Sequence, residues 1–399
     1  MAHGPMKAKR RWVRRIVLVA GGFLALLIAG LLGVYVWARL STDESTFARA
    51  LIWRESDVGD QYRFPARRIP AGARASRLPA GAVVDLVVGG EKKKLDVFLR
   101  ETDTLAFVVV HDDRLVLERY FGGSTRESLQ TSFSVAKSFV STLVGIAIDE
   151  GLIGSVDDRI TEHLPELAAR DPRFRQIRLR DLLTMSSGIR YREGGFLPLG
   201  DDTYTYYGAD LRDVALNRVR IEGPPGIAWQ YNNYHPLLLG LVLERTTGTS
   251  VSDFMATRLW QPLGAEADAT WNLDSERSGF EKMESGLNAR AVDYARFGLL
   301  LLHNGKWNGR RIVSEDWVRA ATRAETTTGP AYAYGYRYFW WLDVERQGRF
   351  YALGKYGQYI YVAPDAGTVV VRFGRDWGVD NNTWLATFRE VADQLARRQ

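Results

Sequence analysis

The 399 residues carry 53 lysines and arginines against 47 acids, with 46% hydrophobic residues, five histidines and no cysteine. A chain of this length can bury a sizeable core as one large or two interleaved domains, and the missing thiols exclude disulfide staples, a cysteine nucleophile and thiolate metal sites. The histidines, His3, His111, His163, His235 and His303, stand singly with no His-x-His or His-Glu-x-x-His spacing, which argues against a zinc hydrolase. No metal or organic cofactor is expected.

Residues 1–15 form a basic tail, with Lys7, Lys9, Arg10, Arg11, Arg14 and Arg15 and no acid anywhere before residue 39. An uncharged run of 22 residues follows, Ile16 to Trp37. As a helix it would be about 33 Å long, enough for a hydrocarbon core of about 30 Å. The spacing predicts a transmembrane signal anchor over 16–38 in the inner (cell) membrane, with the N-terminus cytoplasmic and the rest of the chain periplasmic or otherwise extracytoplasmic, because the positive flank stays inside. A cleaved signal peptide would have a shorter apolar region ending in a small-x-small site, and here it ends Val34-Tyr35-Val36-Trp37-Ala38-Arg39. The six tail cations account for the whole charge excess, leaving 47 basic and 47 acidic residues outside it. The basic balance therefore reports topology, and no nucleic-acid partner is expected. Nothing in the pattern fixes an oligomeric state.

From 39 to 79 the chain is polar and broken by Pro65, Pro70 and Pro79, which reads as a linker or wrapping segment. A compact domain is expected over 80–399, with sheet-forming parts at 80–154 and 276–399 and a helical part at 155–275. Leu105 to Tyr120 alternates as two strands about Asp112-Asp113, a turn pair tolerant of positive φ. A core helix then runs through Phe139, Leu143 and Ile146 to a stop at Gly151. Helical periodicity recurs at Asp210–Val219, Pro236–Thr246, Ser252–Trp260, Asn288–His303 and Ser314–Ala324. Strands return at Tyr336–Asp343, Arg349–Leu353, Tyr359–Ala363 and Thr368–Phe373, and Asn382–Arg397 closes as an amphipathic helix. Strands at both ends with helices between suggest one sheet built from distant segments.

Three short constellations carry chemistry. Ser134-Val135-Ala136-Lys137 puts a hydroxyl and an amine on one helical face, where the amine can serve as base; the helix N-terminus stabilises an alkoxide and disfavours an ammonium. Thr131 or Ser132 could cap that start. Tyr231-Asn232-Asn233, before the helix at Pro236, sets a phenol and an amide on one side of an extended loop. Lys355-Tyr356-Gly357-Gln358 opens a late strand with a fixed cation and a glycine that permits close backbone approach.

Ser-x-x-Lys, then Tyr-x-Asn about a hundred residues on, then Lys-x-Gly on a late strand resembles the serine β-lactamase and penicillin-binding DD-peptidase superfamily. The stretches Asp181 to Gly188, Gln261 to Gly264 and Asp293 to Gly298 add to the likeness, which covers about residues 80–399. Within it the chain is similar to the class C β-lactamase-like branch, which includes serine esterases and 6-aminohexanoate-dimer hydrolases. The resemblance implies an α+β fold, a mostly antiparallel sheet flanked by helices with an inserted helical subdomain. It implies a Ser-Lys-Tyr centre cleaving a small-molecule ester or amide through an acyl-enzyme, with Ser134 as nucleophile, Lys137 as its base and Tyr231 relaying a proton to the leaving group. Asn233 would orient the substrate, Lys355 would hold Tyr231 toward phenolate, Gly357 would let the strand approach, and the Ser134 and Gln358 N–H groups would form the oxyanion hole. Tyr356 stands where β-lactamases and transpeptidases have threonine, which disfavours β-lactam turnover and a D-alanyl-D-alanine carboxypeptidase. A non-catalytic penicillin-binding-like envelope scaffold is the reading from another class. The aromatic stretch from Tyr191 to Gly208, with Phe196, Tyr204, Tyr206 and Tyr207, suits either a mobile lid or ordinary packing.

Overall fold

The computed structural model describes residues 5–73, 75–82, 84–89, 93–194, 200–323 and 335–398. Its centre is a seven-stranded antiparallel sheet in the order Tyr336–Arg337, Trp340–Leu342, Phe350–Gly354, Gln358–Ala363, Thr368–Gly374, Thr104–His111, Arg114–Tyr120. The strand from early in the chain thus pairs with the last one, Val109 opposite Val370. Asp112 and Asp113 both have positive φ, 47° and 62°, as the twist of a two-residue hairpin requires.

Alternation along these strands feeds two cores. One face, with Val108, Val110, Ile360, Val369 and Val371, packs on the helices Ala136–Asp149 and Ala291–Leu302 through Phe139, Val140, Phe297 and Leu300. Gly298 permits that approach, since a Cβ there would lie 2.6 Å from Val369. The opposite face, with Phe107, Val109, Tyr359, Tyr361 and Val370, is covered by Trp384, Phe388 and Val391 of the helix Asn381–Ala396. The expected α+β architecture is therefore present.

A second sheet separates this structure from a single-sheet plan. Ala66–Ile69, Ala269–Asn272, Leu287–Arg290 and Leu129–Thr131 form four antiparallel strands in that order. Leu287–Arg290 takes the start of the stretch expected to be helix from Asn288, because its backbone completes this sheet and the helix begins at Ala291. The stretch Tyr336–Asp343 is two strands, split where Tyr338 and Phe339 turn at φ 38° and 64°.

The stretch 39–79 is more than a linker. It supplies the helix Thr46–Trp53 and the strand Ala66–Ile69, and Arg49 is buried, donating to the carbonyls of Thr42 at 2.6 Å, Asp43 at 3.1 Å, Tyr207 at 3.3 Å and Gly208 at 3.1 Å. Before it, Pro5–Leu40 is one helix, and its section Trp12–Leu40 is long and apolar enough to cross a membrane, with none of its most apolar window buried against the protein. Of the aromatic stretch after Tyr191, Asp201–Tyr207 is a packed helix whose Thr203, Thr205 and Tyr207 are buried. Phe196 lies outside the described residues.

Candidate active site

Ser134 sits in a single tight turn, Phe133–Val135, directly before the helix Ala136–Asp149. Phe133 has φ 42°, a left-handed conformation that is costly for an aromatic residue and that turns the chain sharply from the strand Leu129–Thr131 into the helix. No side chain caps this helix; Ser132 donates instead to the Phe133 carbonyl at 3.0 Å. The positions of Thr131 and Ser132 suit a cap, but the strand leading into the turn fixes them elsewhere.

Lys137 is buried, and its Nζ donates to Ser134 Oγ at 2.8 Å and to the Glu284 carbonyl at 2.9 Å. Among the described residues no carboxylate forms an ion pair with it. Nζ also lies 4.9 Å from the centroid of the Tyr231 ring. The sequence-predicted serine, lysine and tyrosine are therefore brought together. Tyr231 is fixed by an aromatic wall, stacked on Trp341 at 6.2 Å and edge-on to Tyr336 at 6.1 Å. Burial pushes the Tyr336 phenol well above its ordinary range, with Tyr231 adding to the effect. Asn233 donates to Tyr191 Oη at 2.9 Å, and among the described residues its buried Oδ1 has no partner.

The third motif is placed differently. Lys355, Tyr356 and Gly357 form the hairpin turn between the strands Phe350–Gly354 and Gln358–Ala363, with Tyr356 and Gly357 at φ 64° and 72°. The backbone that reaches the nucleophile is Gly354: a Cβ there would lie 2.4 Å from the Ser132 carbonyl oxygen and 3.1 Å from Ser134 N. Gly357 backs instead onto Arg372, whose Nη1 would be 2.3 Å from its Cβ. The Gln358 side chain is buried and joined to Gly374 in both directions, at 2.8 and 3.0 Å. Lys355 Nζ donates to Ser56 Oγ at 2.8 Å and lies 4.8 Å from the centroid of the Tyr356 ring, so the structure engages it with the segment after the first helix and not with Tyr231. The turn takes those three residues because Gly354 pairs with Gln358, which ends the first strand at one and opens the second at the other.

Two contributors carried no sequence signal. Glu284 acts through its carbonyl, and the loop bearing it is held by Trp271 Nε1, which donates to the Lys282 and Ser285 carbonyls at 2.9 and 3.0 Å. Glu284 and Lys282 also form a buried ion pair at 3.1 Å, and burial pulls the Lys282 amine below its ordinary value. Among the described residues no group of three or more His, Asp or Glu side chains is placed to hold a metal ion.

His235 lies behind the site, its Nε2 2.7 Å from Ser187 Oγ and its Nδ1 3.2 Å from Met185 Sδ. Burial pushes its pKa down to about 3. The unfolded imidazole binds a proton below about pH 6.5 while the folded one stays neutral, so this stability is present above that pH and is lost as pH falls through the window toward 3. Between pH 6.5 and 5, a loss of up to about 2 kcal/mol is expected from this residue in urea unfolding. In His235→Gln the dependence over that interval should flatten; an equally steep profile in the variant would contradict the assignment.

Residues 96–383 match the protein-family model described as Beta-lactamase. The 6-aminohexanoate-dimer hydrolase of Paenarthrobacter ureafaciens is 30% identical over 341 residues, covering 80% of this chain and 83% of that one. Penicillin-binding protein 4 of Amycolatopsis lactamdurans is 27% identical over 68% of this chain and 78% of its own. A solved structure from Bacillus anthracis, provisionally assigned as a 6-aminohexanoate-dimer hydrolase, superposes with a TM-score of 0.76 at 26% identity, over 90% of this chain and 95% of that one. The fold is that of β-lactamases and transpeptidases, and the chain belongs to the beta-lactamase family. It is a serine hydrolase of that family, whose relatives include amide and ester hydrolases.

Proposed function

We propose that the chain is a membrane-anchored, extracytoplasmic hydrolase that cleaves an ester or amide through an acyl-enzyme on Ser134. One observation carries the reading: Lys137 Nζ, buried and 2.8 Å from Ser134 Oγ, has its other acceptor in a main-chain carbonyl that cannot take up a proton in its place. The Lys137 amine takes the Ser134 proton as Oγ attacks the substrate carbonyl, forming the tetrahedral intermediate. The Ser134 N–H meets the developing oxyanion. With Gly354 against Ser134 N, the second donor is the N–H that follows it, of Lys355, in place of Gln358. Tyr231 passes a proton to the departing amine or alcohol. Asn233 Oδ1, without a partner among the described residues, accepts from the substrate, which an amide N–H satisfies. Water then attacks the acyl-enzyme by the same route in reverse.

With the third motif's lysine turned toward Ser56 and Ala352-Leu353 preceding the glycine beside Ser134, the Lys-Thr pair that precedes this glycine in β-lactamases is missing from that strand. Esters and linear amides are accordingly favoured over β-lactams and D-alanyl peptides. A panel of an aryl acetate, a linear aminoacyl amide, a cephalosporin and a D-alanyl-D-alanine peptide tests this. Turnover of the first two is expected; turnover confined to the last two would overturn the substrate class, and covalent capture without release would support a binding protein.

A further inference from the structure

The segment that follows the first helix forms a rim beside the turn that carries Ser134. Ser45 N donates to the Ser41 carbonyl at 2.9 Å, closing a turn, and Thr46–Trp53 then runs as a helix that buries Ala48, Arg49 and Ala50 against the domain. Three residues beyond it, Ser56 accepts from Lys355 Nζ at 2.8 Å through Oγ and from Tyr356 Oη at 2.6 Å through its carbonyl. Tyr356 in turn packs edge-on against Phe133, the neighbour of the nucleophile, at 5.6 Å. A short path of bonded and packed residues therefore joins the apolar helix to the catalytic turn.

The outward face of the same short helix is apolar. Phe47 and Leu51, one turn apart and so on one side, are 44% and 39% exposed, and Leu40, at the end of the apolar helix, is 82% exposed. The exposed charges Asp43, Glu44, Arg54 and Glu55 stand at the two ends of this face. This is the pattern of a helix that lies in a membrane interface, with apolar side chains in the acyl boundary and charges among headgroups. The nearest bilayer is the one entered at Leu40, six residues before Thr46.

We propose that Thr46–Trp53 lies flat in the membrane interface with Phe47 and Leu51 immersed, that this holds the rim beside Ser134 against the bilayer, and that the substrate is a membrane-resident amphiphile whose scissile ester or amide lies near headgroup level. The proposal rests on the anchored-hydrolase reading above and adds the substrate class. With the helix in the interface plane, Ser56 stands at most about 10 Å above it, the extended length of three residues. The headgroup layer is itself several Å deep, so a bond at that depth comes within reach of the rim without leaving the membrane.

The absence of cysteine makes the test direct. Full-length protein is placed in phosphatidylcholine–phosphatidylglycerol vesicles with one cysteine introduced at a time, Phe47→Cys, Leu51→Cys or Lys306→Cys, each carrying an environment-sensitive nitrobenzoxadiazole label. Lys306 is the control because the neighbouring His303 bonds Asp113, in the hairpin at the far end of the sheet from Lys355. Labels at 47 and 51 are expected to shift to the blue and be quenched by nitroxide lipids, and the label at 306 to do neither. In parallel, the double variant Phe47→Asp/Leu51→Asp should lose at least ten-fold in hydrolysis of a vesicle-dissolved sixteen-carbon aryl ester while its turnover of water-soluble aryl acetate stays within two-fold of the parent. Labels at 47 and 51 reporting water, or parent protein that cleaves aryl acetate and not the vesicle-borne ester, would overturn the proposal. Failure on both esters with lipid-quenched labels would count against the hydrolase reading and the substrate class together, leaving only the placement in the membrane.

Discussion

Ser134→Ala is expected to lower turnover of an aryl ester by at least about a thousand-fold, since removing a nucleophile abolishes the covalent path and leaves only the contribution of binding and the oxyanion donors. The fold should not suffer. The Ser134 hydroxyl is half-buried, and among the described residues its only bond is to Lys137, which keeps the Glu284 carbonyl. Intact mass spectrometry after treatment with a fluorophosphonate should show one adduct on the parent and none on the variant, with unchanged circular dichroism and urea midpoint. Undiminished ester hydrolysis by the alanine variant, or labelling that persists in it, would remove Ser134 from the chemistry. Lys137→Met should match the activity loss with a larger cost in stability, because it strips a buried carbonyl of its donor.

The contrast between what local pattern conveys and what it cannot is visible in this site. The i, i+3 relation of Ser134 and Lys137 is a property of helical geometry, so their contact was legible before any tertiary structure, as was the Asp112-Asp113 hairpin, where two residues tolerant of positive φ interrupt alternating strands. Glu284 was not legible, since every residue has a carbonyl and only packing by Trp271 brings this one to Lys137. The third motif shows a subtler failure. Lys355-Tyr356-Gly357 has the composition of a strand opening and equally that of a tight turn, and which glycine meets Ser134 depends on a pairing register, Gly354 opposite Gln358, that residue types alone do not fix. Likewise the proline-broken stretch 39–79 lacks long periodicity, yet its strand and its Arg49 anchor are completed by partners some 200 residues away.

The register of that turn depends on Arg372, and its replacement should have a large effect on both stability and rate. Its guanidinium is buried and donates to the carbonyls of Tyr356 at 2.7 Å, Gly357 at 2.8 Å, Thr102 at 2.7 Å and Asp376 at 2.9 Å, while its face lies 4.1 Å from the Trp384 ring. Among the described residues no carboxylate side chain pairs with it, and burial pushes its pKa down to about 9, so at neutral pH it remains a cation solvated by main-chain oxygens. Arg372→Met fills much of the volume and leaves those acceptors without donors. At about 1–3 kcal/mol for each buried group left unpaired, and with part recovered by relaxation, a loss of roughly 3–5 kcal/mol is expected in urea unfolding at pH 7. Two of the four carbonyls belong to the turn that carries Tyr356 to Phe133 and ends the strand at Gly354, so the turn should loosen beside Ser134 and kcat should fall at least ten-fold. Arg372→Lys keeps the charge but cannot span all four oxygens with three N–H bonds, and should fall between the two in both measurements. Stability in Arg372→Met within about 1 kcal/mol of the parent would mean that the carbonyls find other donors and that the hairpin holds its place without the guanidinium.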